Sequence, residues 1–280
     1  MADAQTRDRR RALPTAAVGA AVVARSNRSE AFRLTQSGIS GLVAEAIAQA
    51  WAKLFDPHDL RGSRRRLAVA LEAIVQHYGR AGSAAALTHY RNERRAQGVN
   101  TPAPRLQPAQ PQSAPEVEAA VDNALHPLYG PHDPVAEQNA QDALASEAEQ
   151  MVLDQSRNTI INAVGEDREA RAWARITEPG ACSFCRLLAT RGAVYRSEET
   201  ANFRAHVKKP NGSGGTCRCH VEPAFGVYEM TAQARQDLAD YQRLADEFGH
   251  SGRDIEIAWR QHIEGREVTG PLTKPYTRKG

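Results

Sequence analysis

Along the first hundred residues, apolar side chains recur at three- and four-residue intervals. Ile39, Leu42, Val43, Ala46, Ile47, Ala50, Trp51 and Leu54 form one such stripe, the spacing that lines one face of an α-helix. It predicts an amphipathic helix from about Ser29 that stops before "DPHD". Leu67, Ala70, Leu71, Ile74, Val75 and Tyr78 repeat the pattern. Gly79 to Gly82 then reads as a turn, with Ser83 placed to cap a third helix. Three helices on short connections predict a hairpin-like bundle.

"VNTPAPRLQPAQPQSAP", Val99 to Pro115, is dense in Pro, Gln and Ala and reads as an extended linker with no core of its own. Beyond it, Val117, Ala120, Val121, Ala124 and Leu125 predict a short helix, and Pro134 a longer one to about Val164. The periodicity then changes. "AWARIT" reads as a strand, "SFCRLLATRG" as a short helix, "AVYR" as a second strand, and "CRCHVEPAF" as a third that ends at Pro223. Ala234, Leu238, Tyr241, Ala245 and Phe248 restore a helical stripe, and a last short helix spans about Ile255 to Ile263.

The expected fold is mainly α: an N-terminal helical bundle and long helices, a small α+β cysteine module, and C-terminal helices. The expected divisions are a basic arm at 1–28, the bundle at 29–98, the linker at 99–115, acidic helices at 116–165, the module at 166–228, and helices with a polar tail at 229–280.

Charge changes this picture by its placement more than its total. The formal net charge of the 280 residues is only +3, too mild to imply nucleic acid by itself. Residues 116–155 hold nine acidic side chains and no Lys or Arg, which reads as a solvated helix face or a docking surface for a basic partner, another copy of the chain included. The clusters "RDRRR", "RGSRRR" and "VKK" offer Arg9, Arg10, Arg11, Arg64, Arg65, Arg66, Lys208 and Lys209 for nonspecific phosphate contacts, or simply a solvated surface. No apolar run approaches the ~20 residues of a bilayer span. "LPTAAVGAAVVA" behind "RDRRR" imitates a signal peptide, but its Ala-rich composition and the acid within the basic run favour a flexible or weakly helical arm. A reducing, cytoplasmic site of synthesis is expected.

All four cysteines lie between Cys182 and Cys219, as C-x-x-C and C-x-C. A C-x-x-C turn presents two thiolates to one ion, and alternate residues of an extended strand share a face, so Cys182, Cys185, Cys217 and Cys219 can close a structural zinc site. His206 or His220 are alternative ligands in place of Cys217 or Cys219, and paired disulfides or four ordinary thiols are the competing readings. A nucleobase-deaminase site is excluded by order, because the H-x-E matches at His220 and His262 follow the C-x-x-C. No G-x-S-x-G, H-E-x-x-H or Walker motif is present.

"AWARITEPGACSFCRLLATRGAVYRSEE" followed by "CRCHVEPAF" resembles the Mu F-like minor head proteins of tailed phages, particularly those of actinobacteria. The similarity continues upstream through "LDQSRNTIINAVGEDREARAWAR" and more weakly through "WAKLFDPHD". The resemblance implies a helical protein with a small cysteine-bearing module, inside the capsid near the portal, needed for head assembly and in some relatives leaving with the DNA. Many relatives carry a histidine just before the closing C-x-C, where this chain has Thr216. The expected function is therefore a non-catalytic minor capsid protein that contacts portal or major capsid protein, other copies of itself and packaged DNA, with zinc as a structural cofactor. A metal-dependent nuclease with a treble-clef-like zinc module and a cellular DNA-binding protein are the rival readings.

Overall fold

The computed structural model describes residues 15–130, 134–197, 216–249 and 252–268. Among these, the helices are α1 (Thr15–Leu54), α2 (Leu60–Ala96), α3 (Ala114–Leu125), α4 (Pro134–Glu166), α5 (Ser183–Ala189), α6 (Ala232–Phe248) and α7 (Arg253–Ile263). The strands are β1 (Ala172–Ile176) and β2 (His220–Ala224). The mainly α architecture with a small cysteine module is thus as expected. No described helix is long and apolar enough to cross a membrane.

Helix α1 starts well before the expected Ser29. The preceding Ala-rich run has strong helix propensity, and one Gly in a helix costs only about 1 kcal/mol, so Gly19 does not stop it. The expected turn at Gly79 to Gly82 is absent: α2 runs unbroken through both glycines and Ser83. The glycines answer to packing. A Cβ on Gly82 would lie 2.4 Å from Ser156 Oγ, and one on Gly79 would lie 1.9 Å from Gln155 Oε1. Their missing side chains let α2 approach α4 closely, and Ser83 is fully buried in the same seam.

Two cores share the long helices. One joins Val43, Ile47 and Trp51 of α1, Leu67, Leu71 and Val75 of α2, Val117 and Val121 of α3, and Leu144 and Val152 of α4. The other uses the opposite ends of three of these helices, through Phe32, Tyr90 and Ile160, and closes them on Trp173, Cys185, Tyr195, Cys217, Cys219, Val221 and Phe225. The segment between α2 and α3 is irregular, yet Leu106 and Ala109 are buried. Ala109 is held on α4 from both sides: its N–H donates to Thr159 Oγ1 at 2.9 Å, and its carbonyl accepts from Gln155 Nε2 at 2.9 Å.

β1 and β2 pair antiparallel, with Trp173 opposite Pro223 and Ile176 opposite His220. The expected middle strand at "AVYR" reduces to one bridge between Trp173 and Tyr195, and β2 continues one residue past Pro223, which an edge strand tolerates. Tyr195 is fixed instead by its hydroxyl, which donates to the Leu188 carbonyl at 2.7 Å. Helices α6 and α7 form a hairpin around Leu244, Ile255 and Trp259, joined to α5 by Trp259 Nε1 donating to the Ser183 carbonyl at 2.8 Å.

Candidate metal centre

Cys182 stands at the N-cap of α5 and Cys185 within its first turn, so a helix start presents the C-x-x-C. Cys217 and Cys219 arrive from the extended segment that enters β2. The thiols of Cys185, Cys217 and Cys219 lie within 4.8 Å of one another and are buried, with Cys185 and Cys217 sulfurs 3.5 Å apart. Cys182 is exposed; it hydrogen-bonds Cys185 but stands outside the mutually close set. None of the four forms a disulfide.

As neutral thiols, Cys185 and Cys219 resist ionisation. Hydrogen bonding to Cys182, Cys217 and Cys219, followed by burial, drives Cys185 far above the usual thiol range. At Cys219 a hydrogen bond from Cys185 favours the thiolate, but hydrogen bonding to Cys217 and burial outweigh it and push the group up to about 12. A divalent cation reverses this preference, because coordination deprotonates a thiol outright. Clustered thiols at this spacing are a donor set for a soft or borderline ion.

The surroundings fit an anionic sulfur cluster. Arg175, almost fully buried, directs Nη1 at Cys185 Sγ at 3.3 Å. Arg157 of α4 donates Nε to the Cys219 carbonyl at 2.9 Å and Nη2 to the Cys217 carbonyl, while Nη1 meets Asp154 at 2.8 Å. Burial works against the Arg157 charge, yet Cys217, Asp154 and Cys219 outweigh it and raise its pKa. Gln150 Oε1 accepts the Cys217 N–H at 3.2 Å. None of Arg157, Arg175 or Gln150 emerged as a site residue from motif spacing. The one sequence signal for Arg157 was its place in the upstream segment "LDQSRNTIINAVGEDREARAWAR" that shares the resemblance.

His220 follows Cys219 in an extended chain and so takes the other face. Its Nε2 lies 2.9 Å from Ser29 Oγ, and its ring meets the Phe32 ring edge-on. It does not join the mutually close cysteine set. His206 falls outside the described residues, as do Arg9, Arg10, Arg11, Lys208 and Lys209.

The remaining basic candidates have separate surroundings. Arg64 pairs with Asp122 and Glu118 of α3, which also accounts for part of the acidic face. Arg66 donates to the Leu54 carbonyl at 3.0 Å and to Asp59 at 3.2 Å, closing the corner between α1 and α2. Arg65 is exposed.

A second buried group, invisible to motif reading, joins α1, α2 and β2. Glu222 Oε2 accepts from Ser29 Oγ at 2.9 Å and faces His89 Nε2 at 3.2 Å. The His89 ring stacks on Phe32, and Glu93 places a carboxylate oxygen within 4.8 Å of both His89 and Glu222. Arg28 pairs with Glu93 at 2.5 Å and Arg25 approaches Glu222 at 3.8 Å. Two guanidinium groups thus balance the two carboxylates, which makes this a charge-neutral joint between helix and strand.

A family described as VG15 protein matches residues 24–247. No curated protein and no solved structure matches the chain. The matched region takes in the bundle from Ala24 onward, both strands, all four cysteines and nearly all of α6. The chain belongs to the VG15 protein family, a family of viral gene products of phage type.

Proposed function

We propose that this chain is a non-catalytic minor head protein of a tailed phage, of the Mu F-like kind, with a structural zinc held by Cys182, Cys185, Cys217 and Cys219. The viral family supports the first half of this reading. The observation that carries the second is the burial of Cys185, Cys217 and Cys219 within the core that also unites α1, α2 and α4. Coordination there turns metal-binding free energy into folding free energy, so it ties β2 and α5 to the helical body. Cys182 reaches the same ion from the exposed side by a small adjustment of the α5 N-terminus.

In this reading the rigid module and bundle together offer surfaces to the portal or major capsid protein inside the head, and to further copies of the chain. Exposed Arg65 and the N-terminal arginines add nonspecific phosphate contacts to packaged DNA. A density map of purified heads tests the proposal. The expected result is this fold at low copy number on the inner side of the portal vertex. Its absence from purified particles contradicts the head assignment.

A further inference from the structure

A cleft of about 650 Å³ opens between α1, the loop after β1, β2 and the start of α6. Its lining includes two buried acceptor atoms that have no hydrogen-bond donor among the described residues, His220 Nδ1 and Glu222 Oε1, the second of which faces Arg25 Nε at 3.8 Å. Ser29 has one proton, and the ionised Glu222 carboxylate can only accept it, so Ser29 Oγ donates to Glu222 Oε2. The His220 Nε2 that faces the same hydroxyl at 2.9 Å must then carry hydrogen and donate. In the neutral ring that fixes the tautomer and leaves His220 Nδ1 as a bare lone pair. His220 is 4 % exposed and lines the cleft, and its Nδ1 has no hydrogen-bond partner. Glu222 Oε1, in the same lining, also lacks a hydrogen-bond donor. Buried acceptors left without donors are costly, and here a ligand donor reaching down the cleft removes that cost.

The upper walls have the opposite chemistry. Arg33, Arg186 and Arg235 line the cleft together with Glu30 and Glu178, and Arg25, also in the lining, faces Glu222. Glu30 neutralises Arg33 and Asp237 pairs with Arg186, but each guanidinium has five N–H groups and keeps donors in reserve. Ala232 and Gln233, the first residues of α6, also line the opening, and such N–H groups have no acceptor within their own helix. Thr231 caps only the Ala234 N–H, at 3.1 Å. The mouth therefore favours an anion, as helix starts flanked by arginine do. Ile176, Pro179, Ala181 and Met230 give apolar wall between the two ends.

We infer that this cleft binds one nucleotide unit, its phosphate held at the mouth by the arginines and the α6 start, its sugar hydroxyl or base amino group donating to His220 Nδ1 and Glu222 Oε1. The volume lies in the range of cofactor-sized pockets, roughly 300–1,000 Å³. The ligand can be a free nucleotide or the unpaired end of a nucleic-acid strand, since both present the same chemistry. The inference does not depend on the head assignment or on zinc.

Calorimetric titration of the full chain tests it, with a mononucleotide, the matching nucleoside, inorganic phosphate, a linear single-stranded oligonucleotide and its covalently closed circle as probes. The expected result is saturable mononucleotide binding, weakened about tenfold or more when either the phosphate or the nucleoside is removed. If strand ends are the natural source, the linear oligonucleotide binds at least as tightly as the mononucleotide and the circle does not; if free nucleotide is, only the mononucleotide binds. The R33A/R235A double variant alters two residues at the rim, and its melting temperature confirms that it folds; it is expected to bind the mononucleotide about tenfold more weakly. Absence of saturable mononucleotide binding, equal binding of inorganic phosphate, or undiminished binding by the folded double variant overturns the inference.

Discussion

The Arg157 guanidinium donates through Nε to the Cys219 carbonyl at 2.9 Å, so α4 holds the backbone of the C-x-C segment directly. A second donor of the same fork reaches the Cys217 carbonyl. The two cysteines nearest β2 are thereby oriented from behind, by a side chain that takes no part in coordination.

Arg157→Lys keeps the charge but loses the fork. Groups that orient metal ligands from the second layer typically affect metal affinity by about 10- to 100-fold. The expected outcome is a drop of that size in zinc affinity, measured by competition with a chromophoric chelator, while the far-ultraviolet helical signal persists. Unchanged affinity would show that the C-x-C backbone needs no support from α4.

Gly82 and Gly79 make separable predictions about the α2–α4 seam. A methyl at Gly82 meets Ser156 Oγ, which is close to its own backbone and has little freedom, with the Val152 carbonyl 3.7 Å away. Gly82→Ala is expected to destabilise the fold by about 1–3 kcal/mol, the usual range for overpacking. At Gly79 the obstruction is the mobile end of Gln155, and gained helix propensity of about 1 kcal/mol offsets the lost contact. Denaturant unfolding should therefore rank Gly82→Ala well below Gly79→Ala.

Tyr90 is buried, and its hydroxyl donates at 3.1 Å to the Ala163 carbonyl or Asp167, where Arg94 also binds at 2.8 Å. Tyr90→Phe leaves these acceptors with one donor fewer and should cost about 1–2 kcal/mol. Equilibrium unfolding checks this. A neutral result would mean that Arg94 alone satisfies the end of α4.

Burial lowers His220 to about 3, against the opposing pull of Glu222. Because the folded value lies below the ordinary 6.5, the stability from the neutral ring is complete above about pH 6.5 and is lost as pH falls toward 3. Imidazole nitrogen NMR should find Nε2 protonated, Nδ1 bare and no titration of this ring between pH 7 and about 5. A ring that titrates near 6.5, or carries its proton on Nδ1, contradicts the bonding at Ser29.

Much of the helical body was legible because its signal is periodic: the Ile39 to Leu54 stripe, the short α3 and the α6 face all follow three- and four-residue spacing. The glycines of α2 misled for a physical reason. Gly79 and Gly82 in a helical register resemble a turn until the partner helix is known, and contact with Gln155 and Ser156 lies about seventy residues away in sequence. At the cysteines, spacing identified a cluster but could not orient it. Arg157 and Arg175 were hidden because an isolated arginine has no motif, and the Ser29–His220–Glu222 joint was hidden because α1 and β2 meet only in the folded chain.

A structural zinc at the four cysteines would tie α5 and β2 to the helical body. Elemental analysis of protein prepared without added metal, with X-ray absorption at the zinc edge, tests it most directly. The predicted result is about one zinc per chain in a sulfur-dominated shell near 2.3 Å, lost with stability in Cys185→Ser and weakened in Cys182→Ser. A folded chain of full stability that contains no zinc, or a zinc bound without sulfur, would rule out a zinc clip at these cysteines.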